Sequence, residues 1–342
     1  MALNASLAPS GLMSRAKGGG RLNIHKVSSQ PVLRAAVIGG GVFGRHHAAK
    51  YRQIAGVELV AVADPDPLAR KQASGPLHVP AIADWRELLG KLDLVSICSP
   101  AVTHAEITRA FLDCGAHVLV EKPIATSVSD AEHLIALARS RGLVLTVGHQ
   151  ERYVISETGL FEVPQPPVVV ECVRRGPWTG RGSDVSVVLD LMIHDVDLVH
   201  ALVPGAVSKV HASGRFVYGS LHDQVSAELQ FESGAIARLV AERAANTRTR
   251  SLRLIYSDGG EVSVDFLSRH IVNTTANHLK LRDSSDPLAD SINGFVDAVR
   301  AAAAVLVRPE EALRALETSL RVEDALMPAI ASRKRQAVRR TA

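Results

Sequence analysis

The sequence predicts an α/β fold in which a doubly wound parallel sheet is followed by an α+β domain built on a mostly antiparallel, open sheet. Three observations predict it. Residues 35–38 form a short apolar run that turns through glycines into a helical pattern. Short apolar runs then alternate with helical patterns as far as Val147. From His149 onward strand-like alternation dominates, with hairpin signals at Glu232-Ser233-Gly234 and Ser257-Asp258-Gly259-Gly260. With 342 residues, 46% of them hydrophobic, the chain is long enough for two domains.

The first turn, Ala35-Ala36-Val37-Ile38-Gly39-Gly40-Gly41-Val42-Phe43-Gly44, has the G-x-G-x-x-G spacing of a Rossmann dinucleotide cradle in Gly39, Gly41 and Gly44. The first glycine permits the tight turn, the second lets backbone approach a pyrophosphate, and the third lets helix pack on strand. The helix beginning near Val42 and Phe43 presents free N–H groups to the phosphates. A second apolar strand, Glu58 to Ala63, ends in Asp64, twenty residues after Gly44, where a carboxylate accepts from ribose hydroxyls and repels a 2′-phosphate. The expected cofactor is therefore NAD. Read only as a turn residue before Pro65, Asp64 carries no such message.

Further along, Asp84 caps a short helix through Leu89, and Leu94 to Cys98 forms a strand stopped by Ser99-Pro100 at the ligand-binding edge of the sheet. Thr103 to Cys114 is a helix ended by Gly115, and residues 117–120 are the next strand. Ser127 or Ser129 caps a helix over 130–140, and Leu143 to Val147 is a strand. One long helix interrupts the later strands, and two more close the chain, at 288–307 and 309–329, the former returning to cover the sheet. The expected division is 33–148 for the dinucleotide-binding domain and 149–330 for a substrate and oligomerisation domain, between flexible basic tails at 1–32 and 331–342.

Net charge is +4, but five basic and no acidic residues precede Ala35 and another five, again without an acid, follow Ile330. The body between therefore carries −6, which argues against a nucleic-acid-binding surface. No apolar run approaches the length of a membrane span, and no compact apolar segment with a cleavage site marks a secretory signal. Three cysteines, Cys98, Cys114 and Cys172, form no C-x-x-C pair and suit a reducing, cytoplasmic compartment. No metal-ligand spacing is present, so no metal is expected.

Two segments carry ionisable side chains suited to chemistry. Glu121-Lys122-Pro123 directly follows a strand, which puts a lysine at the sheet's carboxyl edge. Asp190 and His194 stand at i and i+4 on one helix face that also carries Asp197, against an apolar background of Val187, Val188, Leu191, Leu198, Val199 and Leu202 in which polar groups need partners. The pair reads either as a buried structural contact or as a general base with a carboxylate orienting its imidazole.

Together with His47 three residues beyond Gly44, Asp64, Ser99-Pro100 with His104, Gly115 to Pro123, and Asp190-Leu191-Met192-Ile193-His194-Asp195, these motifs resemble the Gfo/Idh/MocA oxidoreductases over nearly all of residues 33–330. The resemblance implies that Gly39, Gly41, Val42, Phe43, Gly44, Asp64, Ser99, Pro100, His104, Glu121 and Lys122 line the NAD site. It implies that Lys122, Asp190 and His194 face the nicotinamide and a sugar, with His194 as base. The stretch 184–197, preceded by Arg181-Gly182-Ser183, and Gly148-His149-Gln150-Glu151-Arg152-Tyr153 are most similar to the branch that oxidises the 3-hydroxyl of UDP-N-acetylglucosamine ahead of lipid A diamino-sugar synthesis. Val154-Ile155 replaces the Asn-Pro usual there, and Ala101 replaces a Thr or Asn. Arg152, Arg174, Arg175 and Arg181 are the candidate substrate contacts, and a downstream aminotransferase would consume the ketone. The alternatives are a dehydrogenase of inositol, a free hexose or a nucleotide uronate, or a non-catalytic dinucleotide sensor. Polar and apolar residues alternate along the later strands with few helices to cover them, which predicts a homodimer or homotetramer.

Overall fold

The computed structural model describes residues 31–180, 182, 184–280 and 286–340, with side chains through Leu326; the tail expected at 1–32 therefore falls almost wholly outside the described residues, as does Arg181. The chain opens with β1 (Leu33–Ile38), α1 (Val42–Tyr51), β2 (Val57–Ala63), α2 (Pro67–Ser74) and β3 (Ala81–Ile82). It continues through β4 (Leu94–Ile97), α3 (His104–Asp113), β5 (His117–Val120), α4 (Val128–Ser140) and β6 (Leu145–Val147). Side-chain caps set the starts: Asp66 accepts from Leu68 N at 2.9 Å, and Ser127 accepts from Asp130 N at 3.1 Å. The strands form a parallel six-stranded sheet in the order β3-β2-β1-β4-β5-β6, the doubly wound arrangement the sequence predicts. Its order reverses between β1 and β4, so the crevice for a ligand opens at their carboxyl ends.

After α5 (Glu151–Ser156) and β7 (Val169–Arg175) the chain makes a π-helical stretch, Val188–Met192, that runs into α6 (Ile193–Leu202). Strands β8 (Val207–Arg215), β9 (Gln224–Phe231), β10 (Ile236–Glu242), β11 (Thr249–Ile255), β12 (Glu261–Asp265) and β13 (His270–Asn273) follow. With β7 they make a seven-stranded sheet in the order β13-β12-β11-β7-β10-β9-β8. Only β7 and β10 pair in parallel, and both expected hairpins are present. Alternate residues, among them Cys172, Leu229, Leu239 and Leu254, are fully buried. They pack in one core with Val196 and Val199 of α6 and with Leu316 and Val322 of α8 (Pro309–Arg340). The other face carries Glu171, Glu228, Arg238 and Arg253.

Two expectations change. Helix α7 (Pro287–Ala301) stops at Ala302, which takes a left-handed backbone at φ 49°, rather than continuing to Val307. Its Ile292, Phe295 and Val296 pack on Ala35, Val37, Tyr51 and Leu119, so this late segment joins the first sheet and not the second. Helix α8 continues beyond Ala329 to Arg340.

Candidate active site

The carboxyl edge of the parallel sheet and the ends of β7 and β11 enclose a cleft of about 860 Å³. Its floor is the glycine turn. Gly39 takes φ +101°, and a Cβ there would lie 2.5 Å from the Cys98 carbonyl oxygen. A Cβ on Gly44 would overlap the Gly39 carbonyl, so Gly44 is buried against the strand and does not line the cleft. At Gly41, by contrast, the Cβ position meets nothing within 4 Å, which leaves backbone open to a ligand beside the exposed Val42 and Phe43. The Asp64 carboxylate accepts from Gly40 N at 2.6 Å and Asp66 N at 2.8 Å, and each oxygen keeps a second lone pair for a ribose hydroxyl. These residues fit a dinucleotide. Asp64 is both the turn residue and the acceptor, so the two readings of it are compatible.

Ser99, Pro100, His104, Glu121 and Lys122 all line the cleft, yet two of them spend their polar atoms on the protein. The buried His104 ring lies between the Ser99 carbonyl, 2.9 Å from Nε2, and the Pro123 carbonyl, 2.7 Å from Nδ1. It ties the loop after β4 to the loop after β5 rather than offering a nitrogen to a cofactor. Glu121 Oε1 lies 3.0 Å from His47 Nε2 and accepts from Gln150 at 3.3 Å, while His47 Nδ1 lies 3.0 Å from Ser96 Oγ. Burial opposes ionisation of Glu121, but the His47 hydrogen bond and the positive charge beside it, chiefly of His47 and Lys122, outweigh it and hold its pKa below the usual range.

Lys122 Nζ donates to the Asp190 carbonyl at 2.6 Å and approaches its Oδ1 at 3.3 Å. Asp190 Oδ2 lies 3.9 Å from Arg243 Nη1. Arg243 in turn donates to Asp223 at 2.8 Å and to the carbonyls of Gly182 and Val185 at 2.6 and 3.0 Å, pinning the loop that precedes the π-helical stretch. The expected pairing of Asp190 with the His194 imidazole is therefore not the one the structure forms. Both side chains face the cleft, but Asp190 holds Lys122, and His194 Nδ1 sits 3.0 Å from Glu151 Oε2 without a well-directed hydrogen bond. The i, i+4 spacing fixes a shared face and leaves open which neighbour each group meets.

Glu151 is clamped from behind by Arg174, whose Nη1 donates to it at 2.7 Å while Nη2 donates to Asp195 at 2.7 Å. Burial pushes the His194 pKa down to about 4, with Glu151 opposing and Arg174 and Lys122 reinforcing the shift. His194 is thus neutral at neutral pH. His149 is buried edge-on to it, ring centroids 5.9 Å apart.

Arg152 corrects a further expectation. Its guanidinium donates to both oxygens of Asp197 at 2.8 and 3.0 Å, is buried, and does not line the cleft, so it is a core ion pair and not a substrate contact. Arg174 is likewise committed to carboxylates. The cleft residues that sequence reasoning missed are Glu151 as the partner of His194, Trp178 under Arg243, and Arg243, Arg248 and Arg250. The close spacing of two arginines in Arg248-Thr249-Arg250 was the only signal available for the last two.

Residues 33–149 match the oxidoreductase family with an NAD-binding Rossmann fold, Gfo/Idh/MocA, and residues 158–261 match that family's C-terminal domain. The chain belongs to the Gfo/Idh/MocA oxidoreductases. Members similar to it include the UDP-N-acetylglucosamine 3-dehydrogenase of Acidithiobacillus ferrooxidans, 31% identical over 86% of this chain and 97% of that enzyme. The solved structure of that enzyme superposes with a TM-score of 0.79, covering 87% of this chain and 98% of that one. The D-glucoside 3-dehydrogenase of Escherichia coli is 28% identical over 72% of this chain and 80% of its own length. This Gfo/Idh/MocA member is accordingly an NAD-binding dehydrogenase of the sugar and polyol class. Among the described residues no helix is long and apolar enough to cross a membrane.

Proposed function

We propose that the chain oxidises the 3-hydroxyl of UDP-N-acetylglucosamine to a 3-keto sugar, with NAD as acceptor. The observation that carries the reading is the convergence of Lys122 and a neutral His194 in one cleft with the glycine turn. Support for the sugar comes from the similarity to the Acidithiobacillus enzyme over nearly its whole length. NAD, when bound, takes up the hydride leaving the carbinol carbon. Lys122, held by Asp190, keeps a third N–H to donate to the substrate hydroxyl and favour its ionisation. His194, with the Glu151 carboxylate beside Nδ1, carries its proton there and turns the Nε2 lone pair to the substrate. The imidazolium that forms is stabilised by Glu151, which Arg174 keeps ionised and in place.

Asp64 directs the preference to NAD over NADP by its charge beside the ribose. The ketone product suits an aminotransferase acting next. The second sheet's ion-paired outer face is the surface for a homodimer or homotetramer, and the free Cys98, Cys114 and Cys172 fit a reducing cytoplasm.

A screen of UDP-sugars, free sugars, glucosides and inositols for NADH formation tests the reading. UDP-N-acetylglucosamine is expected to give the highest kcat/KM, and His194→Ala and Lys122→Ala should each lower kcat by roughly 10²–10⁴ with NAD affinity retained. NADH formation with a glucoside or an inositol but not with the nucleotide sugar would overturn the substrate.

A further inference from the structure

We propose that Arg248, just before β11, and Arg250, near its start, form a binding site for the diphosphate of the substrate. The inference rests on the nucleotide-sugar reading above and assigns the residues that recognise the nucleotide half. In the antiparallel pairing of β11 with β7, Arg250 stands opposite Arg174 and Thr249 opposite Arg175. Arg248 directly precedes β11 and Arg250 lies within it, and both line the cleft.

Arg174 is spent: it is buried and holds Glu151 and Asp195. Arg250 is not. Its guanidinium, 47% exposed, comes only to 3.6 Å of Glu151 Oε1, an oxygen that Arg174 already occupies at 2.7 Å. Burial and the like charges of Arg174 and Arg248 make its cation less favourable, while Glu151 and Asp195 offset part of that cost. Arg248 makes no ion pair or side-chain hydrogen bond among the described residues, and its stem lies over Gly176, where a Cβ would sit 3.7 Å from its Cγ. Arg174 is thus matched by Glu151 and Asp195, and Arg175 by Glu242, so with His194 neutral the unmatched positive charge on this wall is held by Arg248 and Arg250.

Position selects the ligand class. Glu151 touches His194 with one oxygen and Arg250 with the other, so the base and this cation are separated by two contacts and the width of one carboxylate. In a pyranose the 3-hydroxyl carbon and the anomeric carbon are separated by a single ring carbon, so a sugar whose 3-hydroxyl meets His194 has its anomeric diphosphate within reach of a cation at that separation. Guanidinium forks suit phosphate oxygens, and Thr249 between the two arginines also lines the cleft.

The test titrates UDP and uridine as inhibitors of the parent enzyme and of Arg248→Gln, Arg250→Gln and the double variant, with NAD affinity measured alongside. UDP is expected to bind the parent far more tightly than uridine. The double variant should weaken UDP about tenfold or more and raise KM for UDP-N-acetylglucosamine by a similar factor, leaving uridine and NAD affinity unchanged. Arg248→Gln, which touches no part of the His194–Glu151 pair, should show the same pattern in smaller measure. A double variant that still prefers UDP over uridine by the parental margin would overturn the assignment while leaving the nucleotide-sugar reading intact. A parent that binds neither UDP nor the nucleotide sugar, yet oxidises another sugar, would overturn both.

Discussion

Replacing Glu151 by Gln isolates the electrostatic work done on His194. The carboxylate lies 3.0 Å from Nδ1, and both side chains are largely shielded, at 10% and 14% exposed. A full charge pair at that separation is worth on the order of 5 kcal/mol at an effective dielectric of ~20. With the imidazole about half protonated in the transition state, roughly 2–3 kcal/mol of that stabilisation is lost, or on the order of 10²-fold in kcat. Glutamine keeps the size of the side chain and a carbonyl oxygen for Arg174 Nη1, and Arg174 retains Asp195, so the fold is expected to hold. Initial rates of NADH formation at saturating substrate, a melting curve and an NAD titration read the three quantities separately. Low kcat with parental NAD affinity and melting temperature is the expected result, and Glu151→Asp should recover part of the rate. Parental kcat in a Glu151→Gln protein that binds NAD normally would refute the role given to Glu151.

Three other outcomes follow from the same geometry. Because Asp190 holds Lys122 and not His194, Asp190→Asn should be nearly silent in a Lys122→Ala background and damaging in a His194→Ala background, which a double-mutant cycle on kcat/KM resolves. Arg152→Ala strands the buried Asp197 carboxylate and should cost about 3–5 kcal/mol in urea unfolding, with KM for the protein that remains folded little changed. Burial lowers the pKa values of His194 and His200 to about 4 in the folded chain, against ~6.5 when unfolded. The unfolded state therefore takes up more protons between those values, and stability, complete above about pH 6.5, should fall as pH drops toward 4. Melting temperatures from pH 7 to 5 should decline, less steeply in His200→Gln.

The local signals in this sequence were sufficient wherever a short segment is its own explanation. Gly39, Gly41 and Gly44 have their spacing because one backbone turn requires it, and each occupies the situation its spacing implies. Asp66 and Ser127 cap the helices that begin beside them, and Gly234 and Gly259 close the two hairpins. Strand and helix alternation likewise determines a doubly wound sheet, since a parallel pair needs a crossover between its strands.

Tertiary structure decided the partners. A helix spacing of four residues puts Asp190 and His194 on one face, but Lys122 arrives from the end of β5 and Glu151 from the start of α5, and only packing brings them to different members of that pair. Arg152, Arg174, Arg248 and Arg250 are chemically identical in the sequence. Burial against Asp197, or against Glu151 and Asp195, consumes the first two and leaves the last two facing the cleft, because a guanidinium withdrawn from water must be matched by carboxylates while one at the surface need not be. Helix α7 makes the same point at the level of the fold: Phe295 stands 176 residues after Leu119 and 258 after Val37 (295 − 119 and 295 − 37), and the apolar face that draws it back to them exists only after the sheet has formed.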